Sequence, residues 1–244
     1  MTAAWDDPRI SRGMAAQFER RREFLSAGHK PLGWKLAFGA PAALERLHTN
    51  APLVGFLLQS ALVPSGSSLS ISDWKKPAAE PEIAVHLGRD LPAGADRDTA
   101  KAAIAGLGPA IELADVDHPS DDVEGTLARN IYQRHIILGR NAVTRAGGIL
   151  DGLTGQVVRN GLEIASVASP QALQELTGEL LGIVRHAANV LAVFGETLRA
   201  GQIIIAGSII PPLWAAPGEE IVFHLAPVDS ITIRFAPASN QSLC

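Results

Sequence analysis

Hydrophobic positions change their period twice along the chain. Between residues 7 and 28, Ile10, Met14, Phe18 and Leu25 fall on one face at helical spacing. Asp7 is placed to cap that helix, Pro8 suits its first position and Gly28 ends it. The run "ERRRE" then reads as the solvated face. "PAALERLH" (41–48) predicts a second short helix, again opened by a proline. From about residue 52 the pattern shortens to β-like runs separated by turns. "EIAVHL" alternates strictly, with Glu82, Ala84 and His86 on one face and Ile83, Val85 and Leu87 on the other. "AIELAD" (110–115), "RHIILG" (134–139), "QIIIAG" (202–207), "EIVFHLA" (220–226) and "SITIRF" (230–235) follow. "GQVVRNGLEIASV" predicts a hairpin, because Asn160-Gly161 supplies the two positive-φ residues of a tight turn. One long helix over 170–196 interrupts the strands, opened by Ser169-Pro170 and striped by Leu173, Leu176, Leu180, Val184 and Leu191. Strands on both sides of a single helix predict an α+β roll or barrel, not a repeating βαβ array.

Composition narrows the picture. The chain has 244 residues, 47% of them hydrophobic, with 23 Gly and 16 Pro, as expected of a turn-rich globular protein. A formal charge of -4 offers no basic patch, so nucleic acid is not an expected partner. The single cysteine, Cys244, permits neither an intrachain disulfide nor a cysteine-based zinc site, which suits a cytoplasmic location. The most apolar stretch, "GQIIIAGSIIPPLWAAPG", is interrupted by Gly207, Pro211 and Pro212 and is too short to span a bilayer. "MTAAWDDPR" has no apolar signal core. The expectation is a soluble protein with no membrane partner.

Three acidic residues stand out. Glu80 and Glu82 share a face of an extended segment, since side chains at i and i+2 point the same way. Pro81 between them cannot donate to a ladder, which favours a strand start, an edge or a bulge. Glu112 lies in mid-strand between Ile111 and Leu113. Such a residue either faces water or has a buried partner. Three converging carboxylates suit Mg²⁺ or Mn²⁺; three solvated ones on the polar face of a sheet would be unremarkable, and spacing alone leaves both open.

The segments "GWKLAFGAP" (33–41), "APLVGFL" (51–57), "EPEIAVHLGRDL" (80–91), "GPAIELAD" (108–115) and "LRAGQIIIAGS" (198–208) occur in that order. Together they resemble the 2-keto-4-pentenoate hydratase and 4-oxalocrotonate decarboxylase family of the fumarylacetoacetate hydrolase superfamily, over roughly residues 8–235. The resemblance implies a small helical N-terminal region (1–60) and a mixed β-roll catalytic domain (61–244). It implies Mg²⁺ or Mn²⁺ held by Glu80, Glu82 and Glu112, with Lys35 and Ser208 as catalytic residues. Asp115 matches the acid that follows the family's "IE" strand, and Tyr132 stands near its substrate-facing segment, so both are expected to bind substrate. The implied reaction is a lyase reaction of aromatic-compound catabolism, in which a 2-oxo acid or its 2-hydroxydienoate tautomer is chelated through its carboxylate and C2 oxygen. Hydration is preferred over decarboxylation, and a homo-oligomer is implied.

The chain also departs from the family. The loop "AFGAPAA" has no hydroxyl before Thr49, Asp115-Val116-Asp117 replaces an Asp-Ser-Arg run, and "RNIYQRHIILG" replaces an "N-A-S-S" segment, which leaves Asn130 near the right place. Gln202 stands where an acid is usual. These changes spare the expected ligands and alter the substrate-facing shell. They leave room for a C–C hydrolase or a non-catalytic 2-oxo-acid-binding relative. No nucleophile elbow or Ser-His-Asp order appears. His86 is expected to be a structural histidine, His48 is expected beside Tyr132 in the substrate shell, and His118-Pro119 is expected in a turn.

Overall fold

The structure, a computed structural model, describes residues 3–238, so Cys244 lies outside the described residues. Helix α1 (Pro8–Ser26) starts as its sequence dictates: the Asp7 carboxylate accepts from the Arg9 N–H at 2.9 Å, with Pro8 at the first position. Ile10, Met14 and Phe18 are buried, and the Phe18 ring lies between Trp34 and Phe194 at 5.8 and 5.2 Å. Strand β1 (Pro31–Ala37), helix α2 (Pro41–Leu47) and strand β2 (Leu53–Leu58) follow. The region expected to be helical therefore also gives two strands to the main sheet. Alternation did not flag them because these strands are covered on both faces and read as continuous apolar runs.

Strands β3 (Ser68–Leu69), β4 (Pro77–Leu87), β5 (Ile104–Asp115) and β6 (Gln133–Leu138) come next, with helices α3 (Arg97–Ala103) before β5 and α4 (Val123–Ala128) after it. The hairpin of β7 (Thr154–Arg159) and β8 (Leu162–Val167) turns on Asn160 and Gly161, both at positive φ. The stretch expected as one helix over 170–196 is two, α5 (Pro170–Gln174) and α6 (Leu180–Val193). Thr177-Gly178 turns the chain between them, and Glu179 caps α6 by accepting from the Leu181 and Gly182 N–H groups. The leucine stripe had the right period because both pieces bury the same side; the break leaves Leu176 and Thr177 free to wall a cavity. Strands β9 (Ile203–Ser208), β10 (Leu213–Trp214), β11 (Glu220–Ala226) and β12 (Asp229–Phe235) complete the chain as described.

Seven strands form one mixed sheet in the order β2-β1-β9-β4-β5-β6, with β10 on β4; only β1 and β9 run parallel. Five form a second sheet, β3-β12-β11-β7-β8. This is the α+β roll that the pattern predicts, with the mixed strand directions that the resemblance implies. Trp34, Ile83, Val85, Ile111 and Leu113 enter the main core, each contributing about 1.5–3 kcal/mol on burial. Alternation sends Lys35, Glu82 and Glu112 to the opposite face. That face continues into a smaller apolar cluster of Leu57, Ala84, Ala110, Ile136, Ile203 and Ile205.

Candidate functional site

The pairing of β4 with β5 sets Glu80 directly opposite Glu112, with Glu82 two residues further along. One carboxylate oxygen from each of the three lies within 4.8 Å of the others. Pro81 is tolerated because the β4–β9 register shifts just beyond it, between Glu82 and Ala84, and its carbonyl accepts from the Ile209 N–H at 3.0 Å. Lys35 reaches the cluster from β1, where its Nζ donates to Glu112 Oε1 and, at 3.0 Å, to the Ile131 carbonyl. Lys35, Glu82 and Glu112 are each 1% exposed or less. Gly55 lies across from Lys35 on β2, and a Cβ there would come within 2.9 Å of both the lysine stem and Asn130. Gly207, at φ +99, aims its N–H at Glu82 Oε2 at 2.7 Å, a backbone conformation that L side chains resist.

Like charges this close and this dry resist ionisation. Burial raises the Glu82 carboxyl well above the carboxylate range, and the neighbouring Glu112 and Glu80 charges raise it further. Burial likewise pushes Glu112 up to about 7, against the pull of Lys35. Glu80 is raised by burial too, again opposed by Lys35. One ammonium cannot neutralise three carboxylates, and Glu112 Oε2 is buried without a partner. An all-oxygen donor set with surplus negative charge fits a hard divalent cation.

The Ile131 carbonyl is delivered by an unusual turn. Asn130, Ile131 and Tyr132 all have left-handed φ (59°, 51° and 63°), a conformation unfavourable for a β-branched residue. The Asn130 side chain holds this turn by accepting from the Phe56 N–H at 2.8 Å and donating to the Phe56 carbonyl at 2.9 Å. Sequence reasoning missed this contact. Its only signal was an Asn at a helix end, facing an apolar strand whose residue at position 55 is Gly.

A cavity of about 580 Å³ opens from the cluster, lined by Lys35, Glu80 and Ser208 and walled by apolar groups such as Phe38, Ile131, Leu176 and Pro212. Ser208 lies at its edge with its hydroxyl donating to the Pro81 carbonyl at 3.3 Å. Tyr132 lines it, and its hydroxyl donates to the His118 carbonyl at 3.1 Å. Asp115 does not line it. Its buried carboxylate accepts from the Lys75 and Lys76 N–H groups at 3.0 and 2.8 Å and from Arg134 at 3.2 Å, so it anchors the entry to β4 instead of facing substrate. Gln202 is likewise occupied, accepting from the Trp34 indole and the Arg199 N–H. His118 sits in the expected bend, its ring against Tyr132 at 4.3 Å. Burial lowers the pKa of His86, which stays outside the cavity, as does His48.

The fumarylacetoacetate (FAA) hydrolase C-terminal model matches residues 35–236. The chain belongs to that family. It is 26% identical over 215 residues to a 2-hydroxyhexa-2,4-dienoate hydratase of Comamonas testosteroni, covering 86% of this chain and 80% of that one. It is 29% identical over 228 residues to a 4-oxalocrotonate decarboxylase of Pseudomonas putida, covering 90% and 83%. Among solved structures, the 4-oxalocrotonate decarboxylase of Pseudomonas putida G7, complexed with calcium and acetate, superposes with a TM-score of 0.83 at 28% identity, covering 93% of this chain and 85% of that one. A second structure of that enzyme holds magnesium and adipate, also with a TM-score of 0.83, at 26% identity and 96% and 90% coverage. In this chain Glu80 and Lys35 belong both to the carboxylate cluster and to the lining of the apolar cavity. Among the described residues no helix is long and apolar enough to cross a membrane.

Proposed function

We propose that this member of the family is a divalent-metal-dependent hydratase that adds water to a short 2-hydroxydienoate or 2-oxo-4-enoate. The observation that carries this reading is the convergence of Glu80, Glu82 and Glu112 beside the Lys35 ammonium at the closed end of an apolar cavity. Glu80, Glu82 and Glu112 hold Mg²⁺ or Mn²⁺. When bound, that ion supplies Lewis acidity toward the carboxylate and C2 oxygen of a 2-oxo acid.

The chain's own groups do the rest. Lys35 Nζ stands at the boundary between the carboxylates and the cavity, placed to give a proton to the substrate as an ammonium or to take one as an amine. Its position is fixed by the Ile131 carbonyl, so little reorganisation accompanies the transfer. The Ser208 hydroxyl offers a second polar contact at the cavity edge, and Tyr132 bounds the space beside it. Lys35 and Glu112 are almost fully buried, so their polar contacts are made away from bulk water and gain strength from the lower local dielectric.

Decarboxylation of a related 2-oxo acid uses the same electron sink, and the resemblance to 4-oxalocrotonate decarboxylases supports it as the second reading. Product analysis separates the two. Metal-stripped protein given 2-hydroxypenta-2,4-dienoate and then Mg²⁺ or Mn²⁺ is expected to yield a hydrated 2-oxo acid without CO₂. Release of CO₂ from a dicarboxylic 2-oxo acid, with no hydration of the dienoate, would replace the hydratase reading with the decarboxylase. A Glu80→Gln/Glu82→Gln variant retaining full metal-dependent turnover would sink both.

A further inference from the structure

Helix α1 precedes the family match at residues 35–236, yet it reaches toward the site. Gln17, on its buried face, is 0% exposed. Its Nε2 donates to carbonyls on two separate elements, Val54 of β2 at 3.2 Å and Leu127 in the last turn of α4 at 2.9 Å. Two facing carbonyls fix the orientation of the amide, since the flipped group would set oxygen against oxygen. Its Oε1 is left buried with no partner among the described residues. An apolar side chain of the same size would avoid that unpaired oxygen, so the amide supplies a geometry that packing alone does not.

That geometry concerns the turn behind Lys35. Helix α1 is locked onto α4 at Gly13, where a Cβ would come within 2.7 Å of both the Glu124 carbonyl and the Leu127 side chain. Arg12 adds an ion pair to Glu124. The Leu127 carbonyl that Gln17 holds also accepts from the Asn130 N–H at 2.9 Å, where the left-handed run begins. Ile131 follows, its N–H on the Thr126 carbonyl at 2.9 Å and its own carbonyl on Lys35 Nζ at 3.0 Å. Gln17 and Asn130 thus grip alternate residues of β2, Val54 and Phe56, on either side of the Gly55 that lies across from Lys35. Asn130 ties the turn to the strand, and Gln17 ties down the helix end that feeds the turn.

We propose that Gln17 is a positioning residue. By clamping the end of α4 to β2 it sets where the Ile131 carbonyl stands, and through it where Lys35 Nζ meets the substrate. Helix α1 is then a working part of the site as well as a cover for the core. The effect on turnover rests on the proton-transfer role proposed for Lys35, whereas the effect on the place of Nζ does not.

The test compares Gln17→Met and Gln17→Leu, which keep the volume and remove both donations, with Ile10→Ala, which loosens the same helix about two turns away from the amide. Two quantities are read on the Mg²⁺-loaded proteins, below every melting transition. The first is the rate of reductive methylation of Lys35, followed by mass spectrometry against the exposed Lys101 of the same chain. It is expected to rise about fivefold or more in both Gln17 variants and less than about twofold in Ile10→Ala, because only the former free the clamp. The second is turnover of the dienoate or of a dicarboxylic 2-oxo acid. In the Gln17 variants kcat is expected to fall about 10- to 100-fold with KM within about twofold. That loss is expected to vanish in a Lys35→Met background, where the group that Gln17 acts through is gone. Unchanged Lys35 reactivity in both Gln17 variants, an equal rise in Ile10→Ala, or an undiminished kcat loss on top of Lys35→Met would each overturn the proposal. If the wild type turns over neither substrate, the reaction assignment fails, and the methylation rates still decide whether Gln17 places Nζ.

Discussion

Lys35 and Glu112 form an ion pair sealed from water, the lysine 1% and the glutamate 0% exposed, and Lys35 Nζ takes the Ile131 carbonyl as its second acceptor. Removing one partner of such a pair strands the other. Lys35→Met is therefore expected to raise the Glu112 carboxyl still further, to cost about 3–5 kcal/mol wherever Glu112 stays ionised, and to lower kcat by about 10²–10⁴ if Nζ carries the proton. Urea denaturation and initial-rate kinetics read the two effects separately. A variant with near-normal kcat would remove Lys35 from the chemistry.

The raised carboxyls make a signed prediction for the metal-free protein. The folded state holds protons on Glu82 and Glu112 where the unfolded chain, titrating near 4.5, has already released them. Stability linked to Glu112 is thus fully present below about pH 4.5 and falls as pH rises toward about 7. A divalent ion must displace those protons, so its affinity is expected to climb through the same range and to restore stability at neutral pH. Thermal melts at pH 5 and 7.5, with EDTA or with Mg²⁺, check the sign. Equal metal-free stability at both values would contradict it.

Asn130 closes two buried backbone groups of Phe56 and holds three consecutive left-handed residues. Asn130→Ala leaves both groups unsatisfied, and the expected loss is about 2–4 kcal/mol from two hydrogen bonds of about 1–2 kcal/mol each. Asn130→Asp keeps the acceptor but sets a buried carboxylate against the Phe56 carbonyl, so it too is expected to lose stability. Chemical denaturation is the check, with wild type above both variants.

Asp115 and Tyr132 were expected to play the same part and sit differently. Asp115→Asn should destabilise the fold by weakening the anchor of Lys75 and Lys76, with little change in KM beyond what a shifted Lys76 causes. Tyr132→Phe keeps the cavity wall and loses the hydroxyl's hydrogen bonds to the His118 carbonyl and the Thr126 hydroxyl, so a KM change without a matching loss of stability reports substrate contact with the hydroxyl. Steady-state kinetics on both variants separate an anchor from a wall.

Much of the fold was legible because amphipathic elements announce their period. Helix α1, the Asn160-Gly161 hairpin and the alternating β4 all followed from spacing and caps. Strands β1 and β2 did not, because burial on both faces erases alternation. The interruption at Thr177-Gly178 stayed hidden because the leucine stripe continues in register across it. The Glu trio was visible as residues, and its convergence depends on β4 and β5 pairing Glu80 with Glu112, which spacing thirty residues apart does not specify. Backbone contributions were the least legible of all. The Ile131 carbonyl and the Gly207 N–H carry no side-chain signature, yet they hold Lys35 and Glu82 in place.

The central claim is that Glu80, Glu82 and Glu112 hold a divalent ion. Mn²⁺ titration of metal-stripped protein at pH 7.5, followed by the electron paramagnetic resonance of free Mn²⁺, tests it without reference to any substrate. The account predicts a single saturable site in the wild type, competed by Mg²⁺ and lost in Glu82→Gln and Glu112→Gln. Undiminished Mn²⁺ binding in those variants, or no specific binding by the wild type, would contradict it.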